Sequence, residues 1–448
     1  MKTIKKLTSI FLAALLGTVL LSGCGKIGGG DEGDILTIGV SNNTSEVNII
    51  NTFRTAYMKE NPGAKIKIVR IQGSFDNALV KLIRSKDMPD VVQVYDFSAK
   101  YWTNAGLYCS IGDYMERDGI SEEDYFDSVI EMAKSGTDGR MYWAPRDYNK
   151  VTVCFNPAVF EAAGIRPGDD LYPKDDWTWT EFTEICRALK AKTADILRAT
   201  GQQIFYPVDM NLNWEAVYYP AIRSYGGDFY DVADGSVTGL KAPDKIKQGF
   251  DTLLSLADEG LAVEPTQTGT PFPSRQCAMM FTVRPNVVSY ANSLKDADGN
   301  ATIDFVSMPS FDKTEISYIG MGCTGYAITS QCAEEKRDMA WDFLKFVMTE
   351  TGQNAFCSSG AGIPILKEMA ADPQAAFRQY LPGANHDAFI NFEGRDLPMT
   401  EYLDEVNASK HLAVRSVLVD NLSKNLFSSA DRNGYYAQLK EMLENAIR

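Results

Sequence analysis

Residues 141–165, MYWAPRDYNKVTVCFNPAVFEAAGI, have the pattern of a chain that leaves one folded lobe and begins another. Apolar residues recur up to Pro145, and a polar segment at 147–150 interrupts them. Val151–Phe155 is then an apolar strand, and a short helix over Pro157–Ala163 follows it. The segment therefore predicts a crossing between two α/β lobes.

The end of this segment, Phe160-Glu-Ala-Ala-Gly-Ile165, resembles the helix end after the first interlobe crossing in extracellular solute-binding proteins of ATP-driven importers, of the maltodextrin-binding kind. The resemblance implies an α/β, two-lobed periplasmic-binding-protein-like fold, with a hinge and an interlobe cleft that buries a ligand on closure. Polar and aromatic side chains on the crossing would face that cleft. Trp143, Arg146 and Asp147 are therefore candidate ligand contacts. The alternative is a core tryptophan beside a solvated Arg–Asp pair.

The first 34 residues are expected to be a processing and anchoring segment. Three lysines precede an apolar run over 7–21, and Leu21-Ser-Gly-Cys24 has the form of a bacterial lipoprotein box. The resemblance to bacterial lipoproteins implies a signal peptide over 1–23 and a lipid on the sulfur of Cys24. The segment 24–34 is then a lipid-bearing, flexible tether. An ordinary signal peptide or a weak transmembrane helix are the alternatives.

Length and charge limit the classes of function. Roughly 420 residues remain for folding, which is too many for one core and predicts two lobes. Loss of the three signal lysines takes the formal charge from -15 to -18. An acidic surface repels phosphate backbones and anionic lipid, so we expect no nucleic-acid binding and no membrane contact except through the lipid.

The seven cysteines beyond Cys24 predict no complete disulfide framework. Their number is odd, none is spaced C-x-x-C, and several lie in apolar contexts. We expect most of them to be buried free thiols.

Alternating strand and helix patterns predict the architecture of each lobe. Strand patterns at 36–40, 65–71 and 91–94 alternate with helical spacing, which indicates parallel strands with crossover helices. The resemblance assigns residues 35–146 and 310–363 to an N-terminal lobe. It assigns 147–309 and 364–448 to a C-terminal lobe, with further crossings near 304–309 and 362–365.

The carboxyl ends of parallel strands are where such sheets bind ligands. This rule selects Asn42 and Asn43 after the first strand, and Tyr95 and Asp96 after the third. In the family, acidic or aromatic residues at the latter place bind ligand hydroxyls. The alternative for Asp96 is an N-cap of the following helix.

Three more candidates come from later in the chain, beyond the first crossing. Trp214 offers an aromatic face that matches the apolar face of a sugar ring. Arg284 stands in a stretch where many relatives have tryptophan, which suggests a more polar or anionic ligand group. Gly322 belongs to a glycine-rich segment whose small residues let backbone amides approach a ligand. The tryptophans at 177 and 179 are expected to pack, with Thr178 or Thr180 as a helix cap.

Catalytic and metal signatures are mostly missing from the sequence. There is no G-x-S-x-G or H-E-x-x-H, and the chain holds only two histidines, His386 and His411. The segment 296–300 has a faint calcium-loop appearance, but a hairpin turn is the better interpretation. We expect neither a cofactor nor a metal.

The resemblance implies a non-enzymatic, monomeric lipoprotein on the extracytoplasmic face of the cell membrane. It would capture a small oligosaccharide or modified sugar and deliver it to the permease subunits of an ABC importer. A secreted polysaccharide-degrading enzyme that uses Asp96 and Asp147 as paired carboxylates is the rival hypothesis. A purely structural surface protein is a third option. It is disfavoured, because such a protein would need neither lobe crossings nor polar turns at strand ends.

Overall fold

Two α/β lobes joined by a small third sheet make up the described part of the chain, which covers residues 35–264, 271–398, 406 and 408–448 of a computed structural model. The predicted signal peptide, the lipid anchor at Cys24 and the tether lie outside these residues. The strands are β1 Ile35–Ser41, β2 Lys65–Ile71, β3 Val91–Tyr95, β4 Ala144–Pro145, β5 Asn149–Lys150, β6 Thr152–Phe155, β7 Tyr206–Asp209, β8 Asp228–Ala233, β9 Ser236–Lys241, β10 Cys277–Thr282, β11 Asp304–Ser307, β12 Ile319–Gly322, β13 Thr324–Ile328 and β14 Asp396–Pro398.

Helices cover the sheets of both lobes. They are α1 Thr44–Glu60, α2 Phe75–Ser85, α3 Asp96–Asn104, α4 Gly112–Asp118, α5 Asp127–Ala133, α6 Pro157–Ala162, α7 Trp179–Ala191, α8 Thr193–Thr200, α9 Glu215–Ser224, α10 Pro243–Asp258, α11 Arg284–Ser293, α12 Arg337–Met348, α13 Glu350–Cys357, α14 Lys367–Ala371, α15 Ala376–Gln379, α16 Ala408–Asn421 and α17 Arg432–Ile447. None of the helices in the described ranges has the length and apolar character needed to span a bilayer.

The sheet of the first lobe has the strand order β2-β1-β3-β13-β4. β1 pairs in parallel with both β2 and β3, as the alternation of strands and helices predicts, whereas β13 pairs antiparallel with β3 and β4. The carboxyl ends of β1 and β3 therefore lie at the same edge of the sheet, where α1 and α3 begin.

The sheet of the second lobe has the order β11-β6-β10-β7. β6 pairs antiparallel with β10 and with β11, so the strand of the opening segment lies inside this sheet. Asp304–Ser307 is consequently a strand of the second lobe, and the chain returns to the first lobe after β12, which ends at Gly322.

The third sheet, β14-β12-β5, joins the lobes. β5 belongs to the first passage between lobes, β12 to the second, and β14 to the last. The chain is still in the first lobe at Ile365, because the carbonyl of Ile365 accepts from the backbone N–H of Phe126 at 3.2 Å. Phe389 then packs on Phe305 of β11, with ring centroids 4.9 Å apart.

A local signal explains the start of α7. Thr178 and Glu181 form a capping box at α7: the hydroxyl of Thr178 accepts from the N–H of Glu181 at 3.2 Å, and the Glu181 carboxylate accepts from the N–H of Thr178 at 2.7 Å. The two flanking tryptophans, Trp177 and Trp179, are buried as predicted.

In the turn at 296–300, the carboxylate of Asp296 accepts from backbone N–H groups. Lys295 and Ala301, on either side of the turn, form an antiparallel β-bridge, so the hairpin interpretation is confirmed.

The cysteines behave as small apolar residues. The seven that lie in the described ranges are free, and all except the partly exposed Cys109 are buried. Burial raises the pKa of thiols such as Cys154 and Cys186, so these groups stay protonated and inert at neutral pH.

Candidate functional site

A cavity of about 290 Å³ lies between the two lobes, beside the sheet that joins them. The first lobe supplies α3, the second lobe supplies α9 and α16, and β5 and β12 form its floor. The lining residues are Asp96, Phe97, Asn149, Val151, Asn213, Trp214, Glu215, Ala216, Tyr218, Val283, Met321, Gly322, Cys323, Thr324, Arg415 and Val419. Three of the ten candidate ligand contacts, namely Asp96, Trp214 and Gly322, are therefore brought together.

Asp96 is held in place by two backbone donors. One carboxylate oxygen accepts from the N–H of Phe97 at 2.7 Å, and the other accepts from the N–H of Cys323 at 3.1 Å. Tyr95 is the N-cap residue of α3, and Asp96 is the first residue of the helix. Asp96 therefore binds one backbone N–H of the first helical turn, that of Phe97, and it also lines the cavity. Burial raises the pKa of Asp96 to about 6, and the charges of Asp147 and Glu215 add to the rise. The two backbone hydrogen bonds lower the pKa but do not cancel the effect of burial.

Gly322 is the last residue of β12 and lies directly against Asp96. A Cβ atom built at Gly322 would lie 2.2 Å from Oδ2 of Asp96. Only glycine therefore allows the carboxylate to reach the N–H of Cys323 from this side.

Aromatic side chains enter the cavity from both lobes. Trp214 is the N-cap residue of α9 and is partly exposed, and Tyr218 lies one turn further along that helix. Phe97 faces them from α3 and stacks on Tyr95, with centroids 5.3 Å apart and ring planes at 15°. Aromatic faces on two sides suit a flat ligand that has an apolar ring face.

Glu215 and Arg415 form a pair at the second-lobe side. The guanidinium of Arg415 on α16 lies 3.9 Å from the carboxylate of Glu215 on α9. Burial raises the pKa of Glu215, and the charge of Arg415 partly offsets the rise. Arg415 also lies over the ring of Phe97, at 4.9 Å from the centroid, so it touches the opposite lobe.

Arg146 and Asp147 lie behind the cavity and are buried. Arg146 binds Glu46 at 2.7 Å and Asp147 at 3.2 Å. Burial opposes the charge of Arg146, but Glu46 and Asp147 outweigh it and hold its pKa above the ordinary value. Asp147 accepts from the N–H of Thr324 at 2.7 Å, so the pair positions a lining residue and does not itself line the cavity.

The other aromatic residue predicted on the crossing, Trp143, is fully buried. A Cβ atom at Gly325 would lie 2.5 Å from its ring. Trp143 is thus a core residue of the first lobe, which matches the alternative interpretation of the sequence.

The candidates at the strand ends have structural partners. Asn43 caps α1, because its side chain accepts from the N–H of Ser45 at 2.8 Å, and the Asn42 amide donates to Gln72 at 2.9 Å. Tyr95 packs between Phe75 and Phe97. None of the three lines the cavity, although Tyr95 supports the ring of Phe97.

Arg284 is fully buried away from the cavity, in the second lobe. It donates to the carbonyls of Gly360 at 2.7 Å and Phe377 at 2.6 Å, and faces Nδ1 of His386 at 2.8 Å. Burial lowers the pKa of Arg284 to about 10. Its neighbour Val283 lines the cavity instead. Arg284 therefore does not offer its charge to an anionic ligand group in the cavity, contrary to the expectation from the sequence.

Several lining residues are not among the sequence candidates. Glu215 and Tyr218 follow Trp214 on one helix, and their spacing could have indicated a shared face. Arg415 carries no local signal, because only the packing of α16 on the second lobe brings it to the cleft. Within the described ranges, no group of His, Cys, Asp and Glu side chains is arranged to hold a metal ion.

The comparisons with known proteins agree with this architecture. The family model for the bacterial extracellular solute-binding protein matches residues 43–354. No curated protein sequence matches the chain.

Solved structures share the fold at low identity. The ABC substrate-binding protein Lmo0181 of Listeria monocytogenes, in complex with cycloalternan, has a TM-score of 0.67 and 15% identity, over 92% of this chain and 98% of that chain. The sugar-binding protein MalE of Xanthomonas citri has a TM-score of 0.71 and 14% identity, over 92% and 97%. UgpB of Mycobacterium tuberculosis, in complex with glycerophosphocholine, has a TM-score of 0.70 and 16% identity, over 91% and 97%.

Proposed function

This chain belongs to the bacterial extracellular solute-binding protein family, and from that membership we propose that it captures a carbohydrate between its lobes and delivers it to the permease of an ABC importer. The ligand is a small oligosaccharide or a modified sugar. The protein acts as a monomer and as a carrier.

The observation that carries this proposal is the convergence of Asp96 and Trp214 on one cavity from opposite lobes. A carboxylate held by backbone donors accepts hydrogen bonds from sugar hydroxyls, and an indole face covers a ring. Each lobe supplies one half of the site. A bound ligand therefore favours the closed arrangement through contacts that an open one lacks.

Two of the three solved relatives support a carbohydrate ligand, although they do not identify which carbohydrate this chain binds. The Listeria monocytogenes protein is described with cycloalternan and the Xanthomonas citri protein as sugar-binding, whereas UgpB of Mycobacterium tuberculosis is described with glycerophosphocholine. Because one fold serves several ligands, the choice of carbohydrate depends on the residues of the cleft.

The carboxylate pair of the rival enzyme hypothesis, Asp96 and Asp147, does not face one cavity. Asp147 is 1% exposed, bound to Arg146 and to the N–H of Thr324. A group that is already paired and out of reach of a substrate is poorly suited to act as acid, base or nucleophile. The pair that the enzyme hypothesis names therefore does not support hydrolysis, and membership of a solute-binding family favours a carrier role.

Attachment to the membrane by a lipid on Cys24 is part of the proposal and is supported by the Leu21–Cys24 box. Stable anchoring needs two or more acyl chains, which a lipoprotein cysteine provides. Replacement of Cys24 by alanine should release the protein to the medium or leave an unprocessed precursor. Unchanged processing and unchanged lipid labelling would contradict the anchor.

A thermal-shift screen against mono- and oligosaccharides tests the function directly, since a ligand that binds only the folded state raises the melting temperature. Calorimetry on each positive sugar should then give one site per chain, and chromatography should recover the sugar unchanged. Cleaved sugar would favour the enzyme hypothesis. A complete panel without any shift would contradict carbohydrate capture.

A further inference from the structure

We propose that the carbohydrate captured by this cleft carries a protonated amine and that Asp96 is the counter-ion of that amine. The ligand is then an amino sugar. This inference rests on the carbohydrate-binding role proposed above and narrows its ligand class.

Among the described residues, the charged groups that line the cavity do not balance. Asp96 and Glu215 are the carboxylates in its lining, and Arg415 is the one cationic side chain among the described lining residues. Arg415 is already committed to Glu215 and to the ring of Phe97. The negative charge left over is that of Asp96.

The layer behind the cavity does not neutralise this charge. Arg146, which lies in this buried layer, binds two carboxylates, Glu46 and Asp147. Asp96 itself has no ion-pair partner within the described part of the chain, and its hydrogen bonds come from two backbone N–H groups. A partly buried carboxylate without a cation is costly to keep charged. A bound ammonium would supply the missing charge.

The remaining polar atoms of the cavity also favour a ligand rich in donors. Asn149 lines the same cavity, and its side-chain Oδ1 is buried and has no hydrogen-bond partner among the described residues. An ammonium group donates three hydrogen bonds and accepts none, so acceptors such as the Asp96 carboxylate and the side-chain oxygen of Asn149 suit it. The aromatic faces of Trp214 and Tyr218 attract cations as well as sugar rings. A phosphate or carboxylate group would instead meet like charge.

A neutral hydroxyl also donates to a carboxylate, so the test must compare ligands that differ at one group. The β-1,4-linked disaccharides of glucosamine, N-acetylglucosamine and glucose differ at carbon 2 alone. At pH 7 Asp96, with its pKa raised to about 6, is mostly ionised, and a carboxylate beside the amine favours the protonated form of that amine. Calorimetry on the full-length mature protein should show the glucosamine disaccharide binding at least about tenfold more tightly than the other two.

Substitutions identify the group that is responsible. Asp96→Asn removes the charge and keeps the shape, so the preference for the amine should fall to about twofold or less. Asp304→Asn is the matched control, because Asp304 also accepts from the next residue's N–H, at 2.8 Å, and from a distant one, that of Asn385, at 2.7 Å, but lies outside the cavity. This control should keep the full preference.

A second variant covers the case in which Asp96→Asn fails to fold. Glu215→Gln leaves both backbone bonds of Asp96 intact and frees the positive charge of Arg415 within the cavity. It should weaken the amine-bearing ligand more than the glucose disaccharide.

The possible results separate this inference from the carbohydrate role. Equal or weaker binding of the glucosamine disaccharide, with measurable binding of a neutral sugar, would overturn the amine and leave carbohydrate capture intact. Failure of these three ligands, together with failure of the whole sugar screen, would overturn both. A preference for the amine that survives Asp96→Asn would overturn the assignment to Asp96.

Discussion

The guanidinium of Arg415 lies over the ring of Phe97, with its central carbon 4.9 Å from the ring centroid. Arg415 is on α16 of the second lobe and Phe97 is on α3 of the first, so this contact joins the two lobes across the cleft. It exists only while the lobes are close together. A cation–π contact at a partly exposed site is worth about 0.5–1 kcal/mol.

Arg415→Gln should therefore shift the unliganded protein toward the open form, by about two- to fivefold in the ratio of open to closed. The radius of gyration from small-angle scattering should rise relative to the parent protein and fall again with saturating ligand. Arg117→Gln is the matched control, because Arg117 lies over Tyr114 at 5.0 Å within one lobe. An equal radius for Arg415→Gln and Arg117→Gln would argue against a contact that biases closure.

Gly322→Ala tests the close approach to Asp96. The added methyl would lie 2.2 Å from Oδ2 of Asp96 and should displace the carboxylate from the N–H of Cys323. Because a hydrogen bond to a charged group contributes about 1.5–3 kcal/mol, ligand affinity should fall by about tenfold or more. Gly239→Ala is the control, since nothing lies within 4 Å of a Cβ there. Unchanged affinity in Gly322→Ala would show that the position of Asp96 does not matter for binding.

The sheet that joins the lobes contains a buried ion pair. Nζ of Lys150 lies 2.6 Å from the carboxylate of Asp396, and the two side chains are 0% and 2% exposed. The same carboxylate accepts from the hydroxyls of Tyr148 at 2.6 Å and Ser128 at 2.9 Å. These contacts fix the first and last passages between lobes to α5.

Lys150→Met should lower the free energy of unfolding by about 3–5 kcal/mol, because it leaves the Asp396 carboxylate buried without a cation. Urea unfolding measures the loss. Lys174→Met, which breaks an exposed pair with Glu181 at 2.9 Å, should cost about 1 kcal/mol or less. Similar losses for the two variants would contradict a structural role for the buried pair.

Both histidines should remain neutral well below their ordinary pKa. Nδ1 of His386 faces the guanidinium of Arg284, which can only donate, so Nδ1 accepts and Nε2 donates to the carbonyl of Leu381 at 2.9 Å. Burial and the charge of Arg284 lower the pKa of His386 to about 4. Burial and the charge of Arg415 lower that of His411 to about 4.

The unfolded chain takes up protons on these two groups near pH 6.5, whereas the folded protein does so only near pH 4. Their contribution to stability is therefore complete above pH 6.5 and is lost as the pH falls toward 4. In NMR spectra the imidazole resonances should stay constant between pH 7.5 and 5.5, with His411→Gln used for assignment. A titration midpoint near 6.5 for His386 would contradict its pairing with Arg284.

Local patterns were sufficient for most of the fold. Lys65–Ile71 and Val91–Tyr95 have strand composition between clear turn signals, so they were predictable within a residue or so. Asp96 was predictable as a residue of the cavity lining because the rule about strand ends needs only the parallel alternation. The family model and the solved structures confirm the two-lobed fold.

The parts that sequence could not supply depend on distant packing. Arg284 is polar but buried, because two carbonyls, a histidine and three aromatic rings surround its guanidinium, and none of these is near it in the chain. Arg415 faces the cleft only through the placement of α16, more than 300 residues after Phe97. The sequence around Trp143 does not distinguish a core tryptophan from one that faces the cleft. Only the folded structure, in which the ring of Trp143 packs closely on Gly325, shows that it belongs to the core.

The central claim is that Asp96 and Trp214 act on one ligand from opposite lobes. Calorimetric affinity for a sugar from the screen, with the melting temperature of each unliganded variant, tests it most directly. Asp96→Ala should weaken binding by roughly ten- to a hundredfold. Trp214→Ala should weaken it comparably or more, through the loss of contact area. Full affinity in Asp96→Ala together with a lowered melting temperature would make Asp96 a structural residue at the start of α3 and contradict the account.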